Sequence, residues 1–153
     1  MKKLIAKLSC VVAVAAVVLV TPGCSTYQNM APDWMPGSGA IKVSLTGQEE
    51  VPPLSVSGSG SGSFRVAEDG TVTGSVTTKD VAGTMAHIHR GAKGANGPVI
   101  VPLNKISEGA FVAPDNAKLT EAQYAAYKAG NLYVNVHSVK YPDGEVRAQI
   151  AGR

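Results

Sequence analysis

Apolar and polar side chains alternate in three segments between residues 41 and 77. Alternation with a period of two places one set of side chains on a buried face and the other on a solvent face, as in a half-buried strand. The sequence therefore predicts three β-strands here, with Asp69-Gly70 as a hairpin turn between the second and the third. The apolar positions are Ile41, Val43 and Leu45 in the first segment, Phe64 and Val66 in the second, and Val72 and Val76 in the third.

The same pattern returns near the end of the chain, over roughly residues 131–139 and 145–151. Pro142-Asp143-Gly144 joins these two segments and is typical of a hairpin connection. A run of alternating glycine and serine, Ser57 to Ser63, precedes the second predicted strand and is interpreted as either a weak strand start or a mobile loop. The apolar face of the last hairpin consists of Val134, Val136, Val146, Ala148 and Ile150.

One helix is indicated between these two regions. Thr120 is a suitable N-cap with Gln123 three residues later, and Gly130 stands at the position of a C-cap glycine. Short strands, hairpin signals and a single helix predict an all-β fold. We expect an antiparallel, Greek-key-like sandwich or barrel with one short helix before the last hairpin.

The first 23 residues have the layout of a signal peptide. Three lysines precede or flank the start of an almost purely apolar run of 13 residues, Leu8 to Val20, which is shorter than the about 20 residues of a membrane span. Gly23-Cys24-Ser25 resembles the end of a bacterial lipobox and predicts lipidation of Cys24. Thr21 stands where an aliphatic residue is usual, so ordinary signal cleavage nearby is the alternative.

These features predict a signal peptide over 1–23, a lipid-anchored tether over 24–39 and a single β-domain over 40–153. The tether contains prolines and small polar residues without a hydrophobic period. We therefore expect a membrane-anchored lipoprotein in the cell envelope, on the extracytoplasmic side, either periplasmic or at the cell surface.

Removal of the signal segment changes the charge balance. The whole chain has 14 Lys+Arg and 11 Asp+Glu, and three of the lysines lie in the segment, which leaves 11 of each. A neutral remainder gives no support for nucleic-acid binding, so we expect no nucleic-acid partner. Cys10 and Cys24 are the only cysteines, so the domain that follows has neither a disulfide nor a thiolate metal ligand.

The three histidines of the chain fall in two short predicted strands. His87 and His89 are two residues apart and share one face, and His137 lies on the polar face of the last hairpin. If the strands are neighbours, three imidazoles converge outside the apolar core and can hold one metal ion. An all-nitrogen site without thiolates suits Cu(II) or Zn(II), with copper as the first choice and zinc as the second. Residues that could orient or complete the site are Asn135, Glu145 and Tyr141, although Arg147 would more simply pair with Glu145.

Four motifs follow one another along the predicted domain. They are Thr46 to Pro53 (TGQEEVPP), His87 to Gly91 (HIHRG), Tyr133 to His137 (YVNVH) and Pro142 to Arg147 (PDGEVR). In this order they resemble the CHRD domain family, named for chordin, over about residues 41–151, with this chain as a bacterial lipoprotein member. The resemblance implies an all-β fold in an extracellular setting and leaves the biochemical role open. Ala148 stands where the family often has glycine.

Two classes of function remain open at this point. The first is an envelope protein that binds a single metal ion through its three histidines. The second is a metal-independent module for adhesion or for binding another envelope protein. A mononuclear copper redox enzyme would rest on analogy alone, because His-x-His resembles the copper-ligand strand of copper/zinc superoxide dismutases, whose sites require more histidines. No residue is predicted to be catalytic, and we expect the protein not to be an enzyme.

Overall fold

Nine strands and one α-helix make up residues 39–151, the part of the chain that the computed structural model describes. The predicted signal peptide, the lipidation site Cys24 and the tether lie outside these residues. The strands are Ile41–Thr46 (β1), Ser59–Val66 (β2), Val72–Lys79 (β3), Gly83–Arg90 (β4), Val99–Pro102 (β5), Asn104–Ser107 (β6), Ala110–Val112 (β7), Leu132–Ser138 (β8) and Val146–Ile150 (β9); the helix is Glu121–Lys128 (α1), and a 3₁₀ turn covers Gly47–Glu49.

The strands form one antiparallel sheet in the order β5-β4-β8-β9-β1-β2-β3-β7-β6. Its two outermost strands, β5 and β6, are separated in sequence by Leu103 alone. The sheet must therefore curl until its ends meet. Two contacts hold this seam: Leu103 N donates to Ala86 O at 2.9 Å, and Lys105 Nζ donates to Gly83 O at 2.8 Å. The result is a nearly closed barrel, which confirms the predicted antiparallel all-β fold with one short helix.

The apolar face of each predicted strand fills the inside of the barrel. Leu45, Phe64, Val134 and Val136 have no exposed surface, and the whole predicted apolar face of the last hairpin is buried. The glycine-serine run enters β2 at Ser59, so the interpretation as a strand start is confirmed. Its glycines face the core: a Cβ on Gly62 would lie 3.2 Å from Val43 Cγ2, so only a small residue fits beside Phe64.

Helix α1 begins with the predicted capping box. Thr120 Oγ1 accepts a hydrogen bond from Gln123 N at 3.3 Å, and Thr120 N donates to Gln123 Oε1 at 2.8 Å. Gly130 has a positive φ of 73° just after the helix, as its predicted C-cap role requires. Among residues 39–151 no helix is both long and apolar enough to cross a membrane.

Candidate metal centre

Two neighbouring strands, β4 and β8, place the histidines on one face of the sheet, and β9 continues this face on the other side of β8. In the register of β4 with β8, His87 lies opposite Asn135, His89 opposite Tyr133, and His137 opposite Met85. Residues directly opposite each other in an antiparallel pair project to the same side. We call this side the histidine face; besides the histidines, its buried residues are Tyr133, Asn135 and Arg147. One ligand nitrogen from each of the three imidazoles lies within 4.8 Å of the other two.

The histidine face is polar, as the alternation predicts, but it is not an open surface. His89 is 8% exposed, His137 6% and Arg147 1%. The connection of residues 91–97 lies over it, because the guanidinium of Arg147 donates to Ala95 O at 2.9 Å and to Asn96 Oδ1 at 3.1 Å. The imidazoles thus meet outside the apolar core, as expected, but on a face where His89 and His137 are buried and only His87 is partly exposed.

Backbone carbonyls orient two of the three imidazoles. His89 Nδ1 lies 2.9 Å from Gly97 O, and His137 Nδ1 lies 2.8 Å from Pro142 O. A carbonyl oxygen can only accept, so each Nδ1 carries a proton, and in the neutral ring of His89 the Nε2 atom keeps a free lone pair. Nε2 of His89 is buried, and no hydrogen-bond partner for it exists among the described residues. This pattern is the one in which proteins prepare histidine as a metal ligand.

The third imidazole brings another nitrogen to the same point. His87 Nδ1 lies 3.1 Å from His137 Nε2, and Asn135 Oδ1 lies 3.0 Å from that same Nε2. Two nitrogens bound to one ion at about 2.05 Å and spaced in this way would subtend an angle of about 100°, close to tetrahedral. The farthest pair of nitrogens would have to approach by the order of 1 Å. The donor set therefore fits a single divalent or monovalent transition-metal ion.

Two of the three imidazoles, those of His87 and His89, are held in the form that a metal requires. Burial lowers the pKa of His87 to about 4, with further lowering from the positive charge that His137 and His89 would carry. Burial is also the main cause that lowers the pKa of His89. Metal binding requires the neutral ring. His87 and His89 therefore stay neutral at pH values where an exposed histidine would already be protonated.

Behind His89 the site continues as a stack of three planar groups. The rings of His89 and Tyr133 are stacked, with centroids 4.7 Å apart and an angle of 4° between planes. On the other side of Tyr133, the guanidinium carbon of Arg147 lies 3.4 Å from the ring centroid. Its hydrogen bonds go to the 91–97 connection, and the expected ion pair with Glu145 does not form among the described residues. Arg147 thus holds the ring of Tyr133 in place, and this ring in turn holds the imidazole of His89.

Comparison with known proteins identifies the domain. A family model described as the CHRD domain matches residues 41–150. The chain belongs to the CHRD domain family. Neither the curated proteins nor the solved structures gave a match. The matched range includes all nine strands and all three histidines, so the candidate metal centre lies within the CHRD domain.

Of the three residues expected to support the histidines, Asn135, Glu145 and Tyr141, only Asn135 has a side chain that contacts an imidazole among the described residues. Asn135 lies beside His137, as described above. Glu145 is buried, and its Oε1 lies 3.3 Å from the position of a Cβ on Gly58; no hydrogen bond joins it to an imidazole among the described residues. Tyr141 lines a separate cleft of about 250 Å³ with Pro142. The contact from this loop to His137 is the carbonyl of Pro142, a backbone atom that no residue type could reveal.

Glu50 is a buried acidic residue that the sequence does not predict to lie near the histidines. It is 5% exposed, and its Oε1 has no hydrogen-bond partner among the described residues. It lies under Gly144, where a Cβ would be 2.5 Å from Glu50 Oε1 and 2.8 Å from Asn135 Nδ2. Only the position of Glu50 in the Thr46–Pro53 motif could have drawn attention to it. The carboxyl group of Glu50 is thus close to Asn135, whose side chain contacts His137.

We expect the stability of the CHRD domain to fall with rising pH because of Glu50. Burial raises the pKa of Glu50 from 4.5 to about 7, although the charge of Arg147 and a hydrogen bond from the Val51 backbone lower it. The folded state therefore holds a proton that the unfolded state releases above pH 4.5. The stabilisation is complete below that pH and is lost as the pH rises through about 7.

The measurement is urea unfolding of the wild type and of Glu50→Gln between pH 4 and pH 8. Because Gln cannot ionise, we expect the free energy of unfolding of Glu50→Gln to rise by about 2–3 kcal/mol relative to that of the wild type between pH 4 and pH 8. The histidines give the free energy of unfolding a pH dependence of the opposite sign. Because both proteins contain them, this contribution cancels in the comparison. A difference between them that stays constant with pH would contradict the assignment.

Proposed function

We propose that this CHRD-domain protein binds a single transition-metal ion through His87, His89 and His137, with copper as the favoured metal and zinc as the alternative. The observation that carries the proposal is the buried lone pair of His89 Nε2. It has no partner among the described residues, although the ring is held in place from its other side. Leaving such an atom unpaired costs about 1–3 kcal/mol, and a metal ion at the centre of the three imidazoles removes that cost.

The choice of copper follows from the donor set. The cluster consists of imidazoles alone, with no thiolate or carboxylate within it. Nitrogen donors bind copper more tightly than the other divalent first-row metals, with zinc below it. A bound ion would hold an open position for a fourth ligand, since only three protein nitrogens meet. Binding, storage or transfer of the ion is therefore the role that the site supports best.

The proposal also places the protein in the cell envelope as a membrane-anchored lipoprotein. Support comes from the basic start of the chain, the apolar run Leu8 to Val20 and the Gly23-Cys24-Ser25 sequence. A location outside the cytoplasm suits a histidine site, because an exported protein meets metal ions before the cell buffers them. A lipid on Cys24 would keep the bound ion at the membrane.

The decisive experiment is metal analysis of the full chain, purified from the membrane fraction after expression with its own N-terminus. The protein is loaded with copper or zinc, passed over a desalting column and analysed for metal. We expect roughly one ion per chain for the wild type and almost none for the His87→Ala, His89→Ala, His137→Ala variant.

A matched control carries three substitutions of exposed polar residues on β1 and β2, namely Lys42→Ala, Ser44→Ala and Ser61→Ala. It should bind metal as the wild type does. Equal metal content in the histidine variant and the wild type would refute the site. Recovery of the protein in the soluble fraction alone would refute the anchor and leave the metal result unaffected.

A further inference from the structure

Met85 extends the histidine face by one position at its open end. Along β4 the neighbours Ala86 and Ile88 are 1% and 2% exposed and point into the barrel, whereas Met85 is 48% exposed. Met85, His87 and His89 are each two residues apart and therefore project to the same side. Exposure alone does not distinguish Met85, since Val99, Ile106 and Val139 are exposed to a similar or greater extent; its place in line with the two histidines does.

The register of the sheet places Met85 beside two of the three imidazoles. Met85 lies directly opposite His137 on β8 and is two residues from His87 on its own strand. Side chains opposite each other in an antiparallel pair have Cβ atoms about 4.5–5.5 Å apart. A β-bulge at Gly83–Met85 adds one residue to β4 at this point. Bulges re-aim side chains next to functional sites, and the unbranched methionine side chain has three rotatable bonds with which to reach the ion.

The other end of the site is closed. The 91–97 connection covers His89 and is held by Arg147, and His89 is only 8% exposed. His87 is half-buried, and exposure increases from His89 towards Met85. An ion must therefore enter from the side of Met85, and the coordination position that the three imidazoles leave open faces that side.

The charges around the site favour an ion of low charge. The three donors are imidazole nitrogens, and no carboxylate belongs to the cluster itself; the buried Glu50 lies close to Asn135 and not among the ligand atoms. The guanidinium of Arg147 is buried behind Tyr133, which stacks on His89. A fixed positive charge in a low-dielectric interior opposes a divalent ion about twice as strongly as a monovalent one. Thioether sulfur is a soft ligand and is suited to Cu(I).

We propose that Met85 Sδ is the fourth ligand and that this His₃Met centre binds Cu(I) in preference to Zn(II). The inference rests on the proposed metal site and specifies its ligand set and its ion. Met85 completes the coordination shell at the solvent side and so closes the site after the ion has entered. The centre is then a Cu(I) carrier. Met85, the last ligand to bind the ion, is also the ligand nearest to solvent.

The test compares the full-length wild type with Met85→Leu, a substitution of similar volume at a half-exposed position that should leave the fold intact. Anaerobic competition with a chromophoric chelator gives the Cu(I) affinity, and a fluorescent zinc indicator gives the Zn(II) affinity. We expect Met85→Leu to weaken Cu(I) binding by at least about tenfold and Zn(II) binding by less than about threefold. X-ray absorption of the Cu(I) form should show a sulfur neighbour that Met85→Leu loses.

A double variant, Met30→Leu with Met35→Leu, removes the two methionines between Cys24 and the domain and serves as the control, since it should keep both the sulfur neighbour and the affinity. If Cu(I) binds with the same affinity and the same spectrum in Met85→Leu, the fourth ligand is refuted and the histidine site stands. Equal weakening of Cu(I) and Zn(II) would mean that Met85 acts by packing alone, which also overturns the inference. If no metal binds to the wild type, the proposed function itself fails.

Discussion

Replacing Arg147 with alanine is expected to lower the free energy of unfolding by about 3–5 kcal/mol. The side chain is 1% exposed and is the largest fully buried one in the described part of the chain. It fills the space behind Tyr133 and donates hydrogen bonds to Ala92 O, Ala95 O and Asn96 Oδ1. Alanine would leave a cavity beneath the 91–97 connection and would remove a donor from each of these acceptors.

Urea unfolding followed by circular dichroism measures this effect. The matched control is Arg90→Ala, an exposed arginine at the end of β4, which should change the free energy of unfolding by less than about 0.5 kcal/mol. A second variant, Arg147→Lys, keeps the charge but cannot present the planar fork that stacks on Tyr133 and binds three acceptors. An effect of Arg147→Ala no larger than that of Arg90→Ala would contradict the role we assign to it.

The same substitution should also weaken metal binding. Without Arg147 the 91–97 connection loses three of the hydrogen bonds that hold it on the sheet, so Gly97 O is less firmly positioned beside His89 Nδ1. Loss of such an orienting partner typically costs about 10–100-fold in metal affinity. Arg147→Lys should lie between the wild type and the alanine variant in this measurement, because it restores part of the support for the loop.

Replacing Gly144 with alanine is the second large effect, with an expected loss of about 3 kcal/mol in the free energy of unfolding. Gly144 has a φ of 129°, which L side chains rarely adopt. A Cβ there would lie 2.5 Å from Glu50 Oε1 and 2.8 Å from Asn135 Nδ2. Both neighbours are buried, so neither can move aside without disturbing the packing around His137.

Gly94→Ala is the matched control for this prediction. Gly94 also has a positive φ, 76°, but no atom lies within 4 Å of the position of its Cβ. It therefore measures the cost of a side chain near the left-handed region without any close contact, about 1 kcal/mol. Thermal unfolding of both variants gives the difference, which we assign to the contact with Glu50 and Asn135 together with the larger φ of Gly144. Equal losses in the two variants would show that this close contact is unimportant.

The barrel was largely predictable from local pattern, and its exceptions have a physical cause. Alternation identified β1, β3, β8 and β9, because each strand has one face in the apolar core. The glycine-serine run in β2 carries almost no such signal, since its inward positions are glycines that make room for Phe64. Its place in the sheet depends on pairing with β1 and β3 on either side.

The sequence by itself determined that His87 and His89 share a face and that His137 belongs to a polar face, because side-chain direction in a strand follows from spacing alone. Only the tertiary structure decided that these faces coincide and that a loop covers them. Gly97 O and Pro142 O accept hydrogen bonds from Nδ1 of His89 and His137, Nε2 of His89 is left without a partner among the described residues, and the register sets Met85 beside His137. These contacts join segments distant in sequence or use backbone atoms that every residue carries, so no local pattern encodes them.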